Sequence, residues 1–125
     1  NIGLIPDTGG TYWLPKLLGR QQANYLAFTG KKISATEAKN MGLIADVFPD
    51  ENFMESAMEV LTTLSNLPTK AISLTKKAFN ESYENSLSEQ LDIEGILQQE
   101  AAETEDFREG VTAFLEKRKP NYKGK

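Results

Sequence analysis

Ile2-Gly-Leu-Ile-Pro-Asp-Thr-Gly-Gly-Thr-Tyr-Trp-Leu-Pro-Lys-Leu-Leu-Gly19 is the stretch on which the reading of this chain turns. The apolar run Ile2 to Ile5 predicts a buried entry segment, stopped by Pro6. Asp7-Thr-Gly-Gly10 reads as a tight polar turn. Thr11 to Leu18 then reads as a short helix with Trp13, Leu14, Leu17 and Leu18 on one face. Asp7 is thus expected where a loop meets the first turn of a helix, whose unpaired N–H groups favour negative charge. Gly9 and Gly10 leave room for another group to approach the main chain. Ile5, Pro6, Trp13 and Leu14 are expected to frame Asp7 with apolar surface. Burial there favours the neutral acid and the helix start favours the carboxylate, a balance the residues leave open. On local grounds alone a plain turn-and-cap role explains Asp7 better than a catalytic one, because Pro-Asp-x-Gly is a common turn.

Downstream of Gly19 the pattern is helical. Gln21 to Thr29 predicts a second short helix ended by Gly30. Ser34-Ala-Thr-Glu37 is spaced as a capping box, with Ala35, Ala38 and Met41 on one face and Gly42 closing the helix. Leu43 to Phe48 reads as a short strand. Asp50 is expected to cap a strongly amphipathic helix from Glu51 to about Ser65. Thr69 to about Glu84 follows, with Ile72, Lys76, Phe79 and Tyr83 along one side and Ala71 and Ala78 beside it. Ser86-Leu-Ser-Glu89 is a second capping box, opening a helix weakened at Gly95. Thr104 caps a last helix carrying Phe107, Val111, Phe114 and Leu115, and Asn121 to Lys125 reads as a tail.

Composition removes whole classes of chemistry. The chain has 125 residues, no Cys and no His, so disulfides, thiol nucleophiles, serine–histidine systems and histidine-ligated metals are excluded within it. Acid–base work rests on carboxylates, Lys or Tyr. A formal net charge of -4 argues against nucleic acid as a partner. No apolar run approaches the roughly 20 residues of a membrane span, so no membrane partner is expected. With no leader-like segment among these residues, a cytoplasmic protein is expected. The opening at Asn1, directly into an apolar run, reads as a fragment. A lone strand forms no sheet, which points the same way.

Read together, four segments resemble the second half of the crotonase superfamily, the enoyl-CoA hydratase/isomerase family. They are Ile2 to Gly19, Leu26-Ala-Phe-Thr-Gly-Lys-Lys-Ile-Ser-Ala-Thr-Glu-Ala38, Met41-Gly-Leu-Ile-Ala-Asp-Val47 and Asp106-Phe-Arg-Glu-Gly-Val-Thr-Ala-Phe-Leu-Glu-Lys-Arg-Lys-Pro120. The resemblance covers essentially the whole chain. The fold it implies is mostly α with a short β element: the last part of a β-β-α spiral with the catalytic loop over residues 1–48, then trimerisation helices over 49–125. It implies a missing N-terminal half that would supply the oxyanion donors and most of the CoA groove, and a homotrimer or hexamer.

The chemistry implied is stabilisation of an acyl-CoA enolate by oriented N–H donors while a carboxylate moves a proton. Coenzyme A comes as part of the acyl-CoA thioester substrate, so no separate cofactor is expected. In hydratases the position matching Asp7 is usually Gly. An Asp there resembles the isomerase branches, including phenylacetate-pathway and dienoyl-CoA isomerases, and makes Asp7 the candidate acid or base. The resemblance places Phe114 near the adenine and Lys117 near a phosphate of CoA on a neighbouring subunit. Core packing and a solvated helix end are the alternatives for these two. Pro6, Tyr12 and Trp13 are candidate substrate contacts, although large aromatics are more often core. Two functions stand against each other. One is an acyl-CoA hydratase or isomerase seen as its C-terminal portion and inactive alone; the other is a non-enzymatic helical oligomerisation module. A helical acyl-CoA carrier is a distant third.

Overall fold

The computed structural model describes residues 3–125. Ile2, the first residue of the expected entry segment, lies outside them. Six α-helices follow in order: α1 (Gly10–Thr29), α2 (Ala35–Asn40), α3 (Phe53–Ser65), α4 (Thr69–Glu81), α5 (Leu87–Ala102) and α6 (Glu105–Leu115). The described residues up to Phe53 form one compact unit and Met54–Lys125 another.

In the first unit α1 is two helices joined at a break. Gly19 sits at φ 72°, ψ 160°, a conformation open only to glycine, and Gly30 ends the second half. Both boundaries were legible as glycines. The Ser34/Glu37 capping box of α2 forms as its spacing predicts. The Ser34 amide, then Lys31, hold the Glu37 carboxyl down at about 2.

The strand expected over 43–48 does not form; those residues are bend and irregular loop. Local bonds have taken its donors. The Leu43 amide donates to the Ala38 carbonyl at 2.9 Å, closing α2, and the Val47 amide donates to Asp46 Oδ1 at 2.8 Å. A ladder needs those groups free and a partner beside them, and the described residues contain no strand. Asp50 is no cap either. It opens a single 3₁₀ turn, Asp50–Asn52, that leads into α3.

In the second unit α4 and α5 form an antiparallel pair, and α5 also packs on α6. Lys70 pairs with Glu100 at one end, and Gln90 Nε2 donates to the Ala78 carbonyl at 3.1 Å at the other. The residues buried in α4 lie beside the Ile72–Phe79 stripe, not on it. Leu74 is buried with Ala71 and Ala78 half-buried, whereas Phe79 is 68% exposed. Small side chains let two helices approach closely. Likewise Ala113 and Asp106, not Phe107 and Phe114, are the buried residues of α6. The large apolar side chains of α3 (Met54, Met58, Leu61, Leu64) are exposed.

The residues after α6 are not a loose tail. Arg118 forks onto Glu109 at 2.6 and 2.8 Å, and the Asn121 amide donates to Glu109 Oε1 at 2.7 Å. The Lys123 and Gly124 amides donate to the two carboxylate oxygens of buried Asp106, at 2.6 and 2.8 Å. The Asp106 amide in turn donates to the main-chain oxygen of Lys125 at 3.0 Å. Residues 118–125 are a strap drawn back along α6.

Candidate active site

Asp7 stands at the head of a turn that closes by the Gly10 amide donating to the Asp7 carbonyl at 2.8 Å. Its two central residues, Thr8 at φ 53° and Gly9 at φ 85°, both lie in the left-handed region. That pairing is a type I′ turn. Glycine takes it freely, whereas a β-branched threonine there is strained. The Thr8 hydroxyl donates to Asp7 Oδ1 at 2.8 Å and so fixes one carboxylate oxygen. The room beside the two glycines is filled from within the chain. A Cβ on Gly9 would meet the Trp13 ring at 3.1 Å, and one on Gly10 would meet Pro6 at 3.2 Å.

Asp7 is exposed, not enclosed. It lies on the rim of an apolar hollow of about 430 Å³ formed with Leu4, Ile5, Pro6, Leu14 and Leu26. A second hollow of about 570 Å³ shares Leu4, Ile5, Pro6 and Leu14 and runs along α1 to Phe28. Pro6 thus borders both. Tyr12 and Trp13 line neither; their rings meet edge to face at 5.0 Å, and Lys16 Nζ lies 3.8 Å above the Tyr12 ring. Of the expected frame around Asp7, Ile5, Pro6 and Leu14 are in place and Trp13 is turned onto Gly9.

Phe114 and Lys117 belong to the second unit, at the end of α6. Phe114 is 82% exposed within this chain. Lys117 closes the helix in the left-handed region at φ 54°. Its amide donates to the Phe114 carbonyl at 3.2 Å, and the Arg118 amide donates back to the Ala113 carbonyl at 3.0 Å. This is the Schellman ending, in which the left-handed position usually belongs to glycine. α2 ends the same way with Gly42 there, at φ 83°. Among the described residues Thr8 and Lys117 are the two non-glycines at positive φ. Sequence gave no sign of either. The Asp106 clamp was also missed, because its partners lie 17 and 18 residues away. No group of three or more His, Cys, Asp or Glu among the described residues is arranged to hold a metal ion. No described helix is long and apolar enough to cross a membrane.

The family model for enoyl-CoA hydratase/isomerase matches residues 1–125. This chain belongs to the enoyl-CoA hydratase/isomerase family. A Rhodobacter capsulatus protein named "Probable enoyl-CoA hydratase" is 44% identical over 99% of this chain and 48% of its own length. The 1,2-epoxyphenylacetyl-CoA isomerase of Escherichia coli is 43% identical over 99% of this chain and 47% of its own. The crystal structure of an enoyl-CoA hydratase from Geobacillus kaustophilus superposes with a TM-score of 0.91 at 39% identity, covering 99% of this chain and 47% of that one. The chain therefore spans about half the length of the relatives it matches. The family is one of enzymes, and its named members here act on CoA thioesters as hydratases and as isomerases.

Proposed function

We propose that this chain is the C-terminal portion of an acyl-CoA hydratase/isomerase, with Asp7 as the carboxylate that moves a proton on the acyl chain. The observation that carries this reading is the coincidence of strain with chemistry. Of the two non-glycines in the left-handed region, Thr8 orients Asp7 and the other is Lys117 itself. Strained main chain of this kind gathers at functional sites.

In this reading Asp7 takes a proton from a carbon of the enoyl thioester, leaving an enolate, and returns it at another carbon. The double bond moves and no atom is gained or lost. Isomerisation is modestly favoured over hydration by the presence of Asp at this position. The 43% identity to an isomerase that acts on an epoxide thioester supports isomerase chemistry at this site in general, while the hydratase names at similar identity weigh against it. N–H donors for the thioester oxygen come from the N-terminal half of the protein, outside this chain. Pro6 and the apolar hollow take the acyl group, and Tyr12 and Trp13, which line neither hollow, reach the substrate only outside it. Phe114 and Lys117 meet the adenine and a phosphate of CoA across a subunit boundary in a homotrimer or hexamer. The reaction needs no resident cofactor.

The test is Asp7→Asn in the full-length enzyme. Loss of one general acid–base group lowers kcat by about 10²- to 10⁴-fold. Unchanged turnover of enoyl-CoA substrates would sink the assignment. The chain alone is expected to show none.

The oligomerisation module is kept as a second reading because Met54, Met58, Leu61 and Leu64 leave an apolar face of α3 uncovered. Its occupant would be a second copy of this chain. A monomeric mass for the isolated chain in solution removes that reading.

A further inference from the structure

Residues 116–125 carry five basic side chains and one acid in a chain whose net charge is -4. Most of that positive charge would ordinarily hang on a free end. Here the main chain that carries it is tied down, and one of the five charges, Arg118, is paired. Glu109 accepts the Arg118 fork and the Asn121 amide together, so one carboxylate fixes the chain on both sides of Lys119-Pro120. Arg118 also donates through Nε to Glu116 at 2.6 Å. Glu116 and Arg118 bracket Lys117, and both are held. Asp106 anchors the far end through Lys123 and Gly124, and the Tyr122 ring packs over Gly110, whose Cβ would meet its hydroxyl at 3.2 Å. Gly124 lies so close to Thr69 that a Cβ would come within 2.5 Å of its hydroxyl oxygen. Arg118 is thereby spent on structure, while Lys117 and Lys119 form no ion pair among the described residues.

We propose that Glu109 and Asp106 are positioning residues: they hold the strap against α6 and so keep Lys117 in its strained left-handed turn, presented to an anionic ligand. The inference rests on the reading of Lys117 as a contact to a phosphate of CoA. It goes beyond that reading by assigning the turn's geometry to two carboxylates that touch no ligand. The Schellman bonds of Lys117 and Arg118 favour the left-handed turn and the lysine side chain opposes it, so releasing the neighbours lets the turn fray. Glu109 and Arg118 supply the restraint, and a bidentate pair fixes direction as well as distance.

The experiment compares full-length enzyme with its Glu109→Gln, Asp106→Asn, Lys117→Ala and Glu109→Gln/Lys117→Ala variants. Amide exchange reports the clamp: Asn121, Lys123 and Gly124 exchange faster in the first two variants, and unchanged protection there overturns the proposal. Steady-state kinetics report the function, with an enoyl-CoA and the matching enoyl-pantetheine thioester, which lacks the nucleotide. Glu109→Gln raises KM for the CoA ester about tenfold, the size of one weakened contact to a charged group, with kcat held and KM for the pantetheine ester little changed. In the Lys117→Ala background it adds nothing. A general loss of structure moves both esters alike and overturns the positioning role. If Lys117→Ala raises KM for the CoA ester and Glu109→Gln does not, positioning fails and the ligand reading survives. If Lys117→Ala itself leaves that KM unchanged, the ligand reading fails and positioning falls with it.

Discussion

Lys117 and Gly42 end two helices with the same hydrogen bonds, one with a side chain and one without. The comparison measures what the lysine costs. A non-glycine in the left-handed region costs roughly 1–2 kcal/mol, partly offset because glycine loses more entropy on folding. Lys117→Gly should therefore stabilise the chain by about 0.5–1 kcal/mol while weakening any CoA contact. Thermal melting and ligand titration of the same variant check both halves. A more stable protein with unchanged affinity would mean that the lysine serves neither purpose. Asp7 was legible as a residue because Pro6, Gly9 and Gly10 frame it. Its geometry was not, because the left-handed Thr8 beside it leaves no mark in the order of the letters.

Capping boxes were the most readable elements. Ser34/Glu37 and Ser86/Glu89 both close reciprocally, since each needs only a three-residue spacing to form. Helix faces were read less well. Periodicity finds apolar stripes, but it does not say which stripe meets a neighbour within the chain. In α4 Leu74 is buried with Ala71 and Ala78 half-buried, in α6 Ala113 is buried, and Phe79, Phe107 and Phe114 stay exposed. The strand over 43–48 failed for a related reason, because side-chain alternation says nothing of where the amides bond. Gly95 tests the element scale directly. It lies mid-helix in α5, with nothing within 4 Å of where its Cβ would be. Gly95→Ala should raise the chain's stability by about 0.5–1 kcal/mol in a denaturant or thermal melt. The same change destabilising the full-length enzyme would mean that another surface approaches this helix closely.

At the scale of the whole molecule, two carboxylates tie acid to structure, one in each unit. Glu37 is held down by the Ser34 amide and Lys31, and Glu109 by Arg118 and the Asn121 amide, each at about 2 against an ordinary 4.5. Depressed values stabilise the folded form fully above the unfolded value, and that contribution fades as pH falls from about 4.5 towards 2. An acid titration followed by amide exchange should release Asn121 in that window, and Glu109→Ala, which removes the acceptor, should leave Asn121 unprotected at every pH. Protection that persists below pH 2 would show that Glu109 is not what holds the strap. The strap also has a consequence in time. Protein synthesis runs from the N-terminus, so Asp106 and Glu109 leave the ribosome before the residues that will occupy them. During that interval α6 exists without its clamp, and the turn at Lys117 has only its own Schellman bonds to hold it. The strap, translated after α6, is thus what finishes a helix begun before it.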